Sequence, residues 1–347
     1  MPIDRYHRQS LLPAIGPAGQ ARIRSASVLV VGVGALGSVV AEQLARAGVG
    51  RLTLVDRDVV EWTNLQRQVL YEEADAKRSL PKVEAAAKRL HAINSDVAVD
   101  SCPIDLDASN LPSLIDDVKP TVIVDGTDNA ATRYLLNDLS IDRGIPWVMG
   151  GSIGMEGRVM PVLPGRGPCL RCVYPTPPSP GELATCDTAG VLGPIVTIVG
   201  AQQAALALRM LVGDAASIVP SLLVIDSWDG RFHSIDLVEA KRTDCPCCGA
   251  RNFEFLNGQL APAGAKLCGR NAVQVRAASG AKRVDLRQLR ERLKSVADLD
   301  ASDLMLKAVL HDRPELALTI FADGRMIVFG SEDPVLARSI YSRVVGN

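Results

Sequence analysis

A glycine-rich turn between an apolar run and a helical pattern constrains the fold of this chain more than any other feature. The run Ser27–Val31 is rich in β-branched residues, which predicts a short buried strand. The turn that follows, with the sequence GVGALG, leads into the helix-like stretch Ser38–Ala47. Strand, glycine turn and helix in this order predict the opening of a βαβ unit, in which loop backbone and helix N-terminus can approach phosphates.

The same alternation of strand and helix continues along the chain. Further strands are predicted at Arg51–Val55, Val97–Ser101, Thr121–Asp125 and Trp147–Met149, and further helices at Lys82–Ile93 and Ala130–Arg143. Strands that alternate with helices indicate an α/β fold with a doubly wound, Rossmann-like and mostly parallel sheet.

The turn and the next strand together predict a nucleotide site. Gly32, Gly34 and Gly37 are the glycines expected beside the phosphates. Asp56 ends the second predicted strand, at the spacing of about 20 residues from which a carboxylate accepts hydrogen bonds from ribose. A simple turn residue at a strand end is the alternative for Asp56. To this point an NAD-dependent oxidoreductase fits as well as an enzyme that uses ATP.

An ordered set of short motifs separates these two classes. The set is RYHRQ at residues 5–9, DRD at 56–58, NLQRQ at 64–68, PK at 81–82, DGTDN at 125–129 and GP at 193–194. In this order the motifs resemble the ThiF/MoeB/HesA family of E1-like sulfur-carrier protein adenylyltransferases, over about residues 4 to 250. No single motif is specific, whereas the set is.

The resemblance implies a reaction and its partners. A ubiquitin-like sulfur-carrier protein of the ThiS or MoaD type has its C-terminal Gly-Gly carboxylate adenylated by ATP, with release of pyrophosphate. The carrier is then ready to receive sulfur from a donor such as a cysteine desulfurase or a rhodanese, in thiamin or molybdopterin biosynthesis. The alternatives are an NAD-dependent oxidoreductase and a non-catalytic scaffold of the same fold.

The chemistry of adenylation assigns roles to the charged residues of the motifs. Negative charge builds on phosphate oxygens as pyrophosphate leaves, so cations and Mg²⁺ are required. Arg67 and Lys82 are the predicted cations, and Asp128 is the predicted Mg²⁺ ligand. The residues expected to line the nucleotide pocket are Asp56, Asp58, Asn64, Arg67, Lys82, Asp128 and Asn129.

Three residues need separate comment. Asp128 and Asn129 could instead cap the helix predicted to start at Ala130. The resemblance also implies that Arg8 reaches the ATP of a partner subunit, and hence that the protein is a homodimer.

The cysteines predict a structural metal site. Two pairs with C-x-x-C spacing, Cys169 with Cys172 and Cys245 with Cys248, provide the ligands of a closed four-thiolate Zn²⁺ site. Cys247 is then the spare thiol, although a pairing of Cys245 with Cys247 is also open. A redox-active C-x-x-C is the alternative.

Three further cysteines stand apart from these pairs. In the family, a cysteine at the position of Cys186 forms a thioester or acyl-disulfide in some members, so Cys186 is a candidate nucleophile. Asp187 beside it does not favour a thiolate, so a covalent role stays open. Cys102 and Cys268 are expected to be buried or incidental thiols.

Composition and hydropathy limit the remaining function classes. Lysine and arginine number 38 against 39 acidic residues, a net charge of -1, which disfavours nucleic acid as a partner. The uncharged stretch Thr188–Leu208 is long enough to cross a membrane, but its glycines, proline and glutamines favour a core helix. No apolar leader follows Met1, so we expect a cytoplasmic protein without a membrane partner.

The last part of the sequence predicts a separate unit. Residues 1–258 form the predicted adenylation domain, residues 259–268 a linker, and residues 269–347 a small α+β domain. In that domain Asp323-Gly324 predicts a hairpin, and Ser331 is the predicted cap of a last helix. Residues 269–347 contain no cysteine, so this domain cannot carry a rhodanese persulfide.

Overall fold

The structure is a computed structural model that describes residues 5–178, 189–260, 271–275 and 283–346. It divides into two compact units, residues 1–261 and 262–347. The predicted linker, residues 259–268, falls at this division, and residues 261–268 of it lie outside the described ones.

The first unit is built on one eight-stranded sheet. Its strands are β1 Ser27–Val31, β2 Arg51–Val55, β3 Ala98–Cys102, β4 Val122–Asp125, β5 Trp147–Ile153, β6 Glu156–Val162, β7 Ser221–Asp226 and β8 Arg231–Asp236. Their order is β3-β2-β1-β4-β5-β6-β7-β8. Pairing is parallel from β3 to β5 and antiparallel from β5 to β8.

Helices cover both faces of this sheet. The described helices are α1 His7–Ser10, α2 Gly16–Ser25, α3 Ala35–Ala47, α4 Glu73–Arg78, α5 Lys82–Ile93, α6 Leu111–Val118, α7 Ala130–Arg143, α8 Leu170–Val173 and α9 Gly193–Leu211. On one face α3 packs against α5 and α9. On the other face, residues of α6 and α7 share a core with Leu29, Ile123 and Trp147 of the strands.

This arrangement confirms the predicted doubly wound α/β fold, and it changes the predicted bounds of some helices and strands. Helix α3 begins at Ala35, inside the glycine motif, rather than at Ser38. The three antiparallel strands at one side of the sheet were not predicted. Pro161, a residue type that favours irregular chain, pairs with Val148 as part of β6, which ends at Val162.

Helix α9 is the apolar stretch that raised the question of a membrane span. By length and composition it could cross a bilayer, and half of its apolar stretch is buried inside the structure. Its buried face, which includes Val196, Val199 and Ala207, packs on α3 and on β5. The prediction of a helix packed in the core of the fold is therefore confirmed.

The second unit is a five-stranded antiparallel sheet with two helices. Its elements are β9 Ala272–Val275, α10 Leu286–Leu293, β10 Ala297–Ala301, β11 Met305–Leu310, β12 Ala317–Phe321, β13 Met326–Phe329 and α11 Pro334–Val344, with strand order β10-β11-β12-β13-β9. Both helices contribute to one apolar core on this sheet. β12 and β13 form the predicted hairpin, in which Ile320 pairs with Met326.

One cap prediction in this unit is wrong. Asp333, not Ser331, caps α11, because the Asp333 carboxylate accepts from the Val335 N–H. The Ser331 hydroxyl accepts from the Asp333 N–H, one turn before the helix begins.

Candidate active site

The site lies where the direction of strand succession in the sheet reverses. From β1 the chain moves outward to β2 and β3 on one side, and later to β4 and β5 on the other. The carboxyl ends of β1 and β4 are therefore neighbours, and in open α/β sheets ligands bind in the crevice at such a point. The glycine loop follows β1, and the Gly126–Asn129 loop follows β4.

These two loops touch backbone to backbone. A Cβ placed on Gly126 would lie 2.4 Å from the Gly32 carbonyl oxygen, and one placed on Gly37 would lie 1.8 Å from the same oxygen. Gly32 itself has a φ of +82°, a conformation that L side chains rarely adopt. The glycines of this motif are thus required by the contact between the loops and not only by the approach of a ligand.

The start of α3 offers donors to an anion. Gly34 is its N-cap, and no side chain in the described residues caps this end. The first backbone N–H groups of a helix have no partner within the helix, and the helix dipole adds positive potential there. This end of α3 can therefore bind phosphate oxygens.

Asp56 ties the glycine loop to the second strand. Its carboxylate accepts from the Val33 N–H at 2.7 Å and from the Asp58 N–H at 2.8 Å. Desolvation by burial raises the pKa of Asp56, against the attraction of Lys82. Asp56 thus has a structural role in the loop as well as the position predicted for a ribose contact.

Lys82 and Asp58 form a linked pair next to Asp56. The Lys82 ammonium lies 3.2 Å from the Asp58 carboxylate, and the Lys82 N–H donates to the Asp58 carbonyl. Lys82 is buried at the first turn of α5, so its ammonium is fixed rather than free in solvent. A cation held in this way is suited to stabilise charge on phosphate oxygens.

Asn64 and Arg67 follow on the next segment of chain. Asn64 is buried, and its side-chain oxygen accepts from the Glu61 N–H within a short 3₁₀ turn, Trp62–Asn64. Arg67 donates to the Thr63 carbonyl at 2.7 Å and pairs with no carboxylate in the described ranges. Its charge is therefore available to an anionic ligand.

Asp128 and Asn129 were both predicted to line the nucleotide pocket, but the structure gives their side chains different surroundings. Asn129 is the N-cap of α7, and its side-chain oxygen accepts from the Ala131 and Thr132 N–H groups. Asp128 is exposed and makes no direct hydrogen bond or ion pair with any described residue, although its charge helps to raise the pKa of Arg57. The capping alternative thus applies to Asn129, and the carboxylate of Asp128 is open to a cation.

Arg8 lies away from the other predicted site residues. Its helix α1 is anchored by Gln9, which donates to the Ala47 carbonyl, and by Tyr6, which is packed against Gly48. Both contacts are at the C-terminal end of α3, about 20 Å from the glycine loop for a helix of this length. The structure does not bring Arg8 to the glycine loop of its own chain.

Two residues near the site were missed by the sequence analysis. Arg57 lies between the two aspartates of the D-x-D motif and pairs with Asp105 at 3.3 Å. Burial alone would lower the pKa of Arg57, but the carboxylates of Asp58 and Asp105 together raise it. The position of Arg57 within the motif was the available signal, but its partner Asp105 is far away in sequence.

Tyr71 is the second missed residue. Its hydroxyl donates to the Val33 carbonyl of the glycine loop. Burial raises the pKa of Tyr71 well above the ordinary value, so the hydroxyl stays a donor. Nothing in the sequence near Tyr71 signals this contact, which depends on the fold.

The four predicted zinc ligands come together. The sulfur atoms of Cys169, Cys172, Cys245 and Cys248 all lie within 4.8 Å of one another. Neighbouring sulfurs are 3.4 to 4.0 Å apart. Thiolates at the Zn–S distance in a tetrahedron are separated by about 3.8 Å, so the cluster has the dimensions of a Zn²⁺ site.

The electrostatics of the cluster agree with a bound cation. Interactions with the thiols of Cys172, Cys247 and Cys248 lower the pKa of Cys169, whereas the neighbouring Cys169 raises the pKa of Cys172 to about 11. Four close thiols cannot all ionise without a compensating positive charge, which a dication supplies.

The remaining cysteines fall outside this group. Cys247 is buried and accepts from the Asn137 amide at 3.2 Å, so it faces α7 rather than completing the four. Burial raises the pKa of Cys102, at the end of β3. Cys186 and Cys268 lie outside the described residues.

Comparison with known proteins identifies the group to which this site belongs. The model of the ThiF family matches residues 6–247. The chain belongs to the ThiF family. The match spans the glycine loop, Asp128 and three of the four clustered cysteines, and it confirms the resemblance predicted from the ordered motifs.

Relatives and neighbours of this ThiF-family chain agree with the assignment. The sulfur carrier protein ThiS adenylyltransferase of Bacillus subtilis is 40% identical over 342 residues, covering 99% of each chain. The sulfur carrier protein adenylyltransferase of Thermus thermophilus is 42% identical, covering 71% of this chain and 91% of its own. A crystal structure of E. coli MccB with ATP shares the fold, with a TM-score of 0.61 and 22% identity over 72% of this chain and 75% of that one.

Proposed function

We propose that this chain is an adenylyltransferase that uses ATP to adenylate the C-terminal carboxylate of a sulfur-carrier protein. The observation that carries the proposal is the backbone contact between the loops after β1 and β4, where the direction of strand succession in the sheet reverses. One loop offers the N-terminus of α3 to phosphates, and the other presents the uncommitted carboxylate of Asp128. The 40% sequence identity to the Bacillus subtilis ThiS adenylyltransferase extends over both units and supports the same function.

The residues divide the work of binding the nucleotide. The glycine loop and the first turn of α3 hold the phosphates, and Asp56, Asp58 and Asn64 line the nucleoside end of the pocket. Asp128 would hold Mg²⁺, since magnesium prefers carboxylate oxygen and is commonly shared with substrate phosphates. Bound there, Mg²⁺ would offset the charge of the phosphate oxygens.

The reaction itself requires little proton transfer. A carboxylate oxygen of the carrier attacks the α-phosphorus, the bond from that phosphorus to the bridging oxygen breaks, and pyrophosphate leaves. The carboxylate is already ionised at neutral pH, so no general base is needed. Lys82 and Arg67 stabilise the charge that develops on the phosphate oxygens, which is the main catalytic contribution of such cations.

The carrier ends in Gly-Gly and has the ubiquitin-like fold. The near full-length similarity to ThiS adenylyltransferase favours a ThiS-type carrier and a place in thiamin biosynthesis, with a MoaD-type carrier of molybdopterin biosynthesis as the second candidate. A cysteine desulfurase or a rhodanese donates the sulfur. Cys186 is a candidate for the thiol that takes part in this later step.

We also propose a cytoplasmic homodimer in which Arg8 completes the site of the partner subunit. The position of α1 at the C-terminal end of α3 supports this, because Arg8 then lies far from the glycine loop of its own chain. In a two-fold symmetric dimer each subunit can give the same residue to the other.

Zn²⁺ is the metal proposed for the cysteine cluster. Four thiolates leave no open coordination position, so the role is structural. The cluster joins α8 to the segment that contains Cys245 and Cys248, and α8 is only four residues long. Such short segments depend on a metal for much of their stability.

The first prediction tests the reaction. The protein should exchange pyrophosphate into ATP only in the presence of a carrier with an intact Gly-Gly terminus, and a carrier that lacks the last glycine is the control. Asp128→Ala should lower the exchange rate by about 10²-fold or more. Exchange is measured with labelled pyrophosphate against ThiS-type and MoaD-type carriers. Hydride transfer to NAD without exchange, or no turnover with any carrier, would refute the proposal.

The second prediction concerns the metal. Elemental analysis should find one Zn²⁺ for each chain, and Cys172→Ser should release it and lower the melting temperature, because three thiolates do not close the shell. Cys247→Ser is the matched control, a buried neighbour that should keep the metal. Cys248→Ser should also release the metal. Zinc retained in Cys248→Ser and lost in Cys247→Ser would support the other pairing, of Cys245 with Cys247, and contradict ours.

The third prediction concerns assembly. Arg8→Ala and Asp128→Ala should each be nearly inactive, whereas mixing them in equal amounts should restore about one quarter of wild-type activity, since half the dimers are mixed and each keeps one intact site. Subunit exchange is verified by native mass spectrometry. If mixed dimers form and activity does not return, Arg8 does not act across the interface.

A further inference from the structure

A buried carboxylate stands at the base of the loop that presents Asp128. Asp125, the last residue of β4, is fully buried. One of its oxygens accepts from the Thr127 N–H at 2.9 Å and from the Thr127 hydroxyl at 2.6 Å. Its other oxygen accepts from Nε of Arg133 at 2.7 Å. A buried charge is tolerated only when it is paired in this way.

Arg133 joins three segments of the chain. Arg133 lies in the first turns of α7. Its Nε bonds Asp125, and its Nη2 donates to the Thr127 carbonyl at 2.7 Å and to the Gly150 carbonyl at 2.8 Å. Its guanidinium therefore links β4, the Gly126–Asn129 loop and β5. The planar fork of arginine allows several fixed bonds from one side chain, which a lysine ammonium cannot match.

The end of β4 and the beginning of β5 are held from the helix side as well. The Gln203 amide, fully buried on α9, donates to the Asp125 carbonyl at 2.7 Å and to the Val148 carbonyl at 3.2 Å. A Cβ on Gly150 would lie 2.4 Å from this amide. The parts of β4 and β5 to which Arg133 bonds are thus held in place by Gln203.

These bonds leave one residue of the loop with a free side chain. Thr127 is held by its N–H, its hydroxyl and its carbonyl, and Asn129 is held as the cap of α7. Asp128 lies between them, with its backbone fixed on both flanks and its carboxylate exposed. A ligand group is most effective when its neighbours hold it in place before the ligand arrives.

We propose that Arg133 is a positioning residue that fixes Asp128 for Mg²⁺ and ATP through Thr127 and Asp125. This inference rests on the proposed function, in which Asp128 holds the metal. Arg133 need not touch ATP to act in this way. Its loss would let the loop move away from the glycine loop, and a displacement of about 1 Å in such a site can cost about 10²-fold in rate.

The test is a double-mutant cycle between Arg133 and Asp128, measured by calorimetric binding of ATP in the presence and absence of Mg²⁺. Arg133→Lys keeps a positive charge beside Asp125, so it should fold. Its single nitrogen cannot occupy the positions of both Nε and Nη2 of Arg133, so it cannot reach all three acceptors. It should weaken Mg²⁺-dependent ATP binding about tenfold or more, and it should raise the Mg²⁺ concentration needed for half-maximal pyrophosphate exchange.

In the Asp128→Ala background Arg133→Lys should have no further effect on ATP binding, because the group that it positions is gone. Arg143→Lys is the matched control, on the same helix with exposed ion pairs to Asp116 and Asp142, and should behave as wild type in both backgrounds. Equal losses with and without Asp128, or Mg²⁺-dependent binding unchanged in Arg133→Lys, would overturn the inference.

The binding and exchange measurements separate the two proposals. If the wild-type protein shows no exchange with any carrier but the cycle in Mg²⁺-dependent binding is non-additive, the proposed function fails and the role of Arg133 stands. If exchange occurs and the cycle is additive, the function stands and Arg133 has only a structural role. Thermal unfolding of each variant confirms that binding is compared between folded proteins.

Discussion

The contact between the backbones of Gly32, Gly37 and Gly126 is the constraint on which the site depends. It brings the loop after β1 and the loop after β4 within van der Waals distance, at the point where the sheet reverses its direction of winding. A methyl group at Gly126 would overlap the Gly32 carbonyl, and backbone on both sides leaves little room to relax. The N-terminal end of α3 and the loop that carries Asp128 are neighbours because these three residues lack side chains.

The charges around this contact are arranged so that few of them lack a partner in the described structure. Lys82 pairs with Asp58, Arg57 with Asp105, and Arg133 with Asp125, so the carboxylates near the loops are largely neutralised. Asp128 and Arg67 are the exceptions within the described ranges, one of each sign. An enzyme that binds a metal and a polyanion needs one uncommitted group for each, preorganised by neighbours that are already paired.

The sequence was sufficient to predict site residues where residue type and spacing determine the chemistry. The glycine loop, the residues at strand ends and the two C-x-x-C pairs predicted a nucleotide site and a four-sulfur cluster, and each group comes together in the fold. The sequence was insufficient where a role depends on contacts between distant segments. Gly126 packs on Gly32 and Arg133 bonds to Gly150 only after the sheet has formed, and neither has a local signal. The antiparallel strands β6 to β8 were not predicted. In β6, Pro161 favours irregular chain by residue type but pairs with Val148 in the sheet.

The packing of Gly126 on Gly32 can be tested directly by adding one methyl group. Gly126→Ala should lower the free energy of unfolding by about 1–3 kcal/mol, the usual cost of overpacking, and should abolish Mg²⁺-dependent ATP binding because the two loops can no longer meet. Gly151→Ala is the control, since the nearest atom to a Cβ there is Nη1 of Arg133 at 3.8 Å, an ordinary van der Waals contact that displaces nothing. Calorimetric ATP binding measured on both variants decides the question. Wild-type affinity and stability in Gly126→Ala would contradict the account, and loss of both in that variant alone is what it predicts.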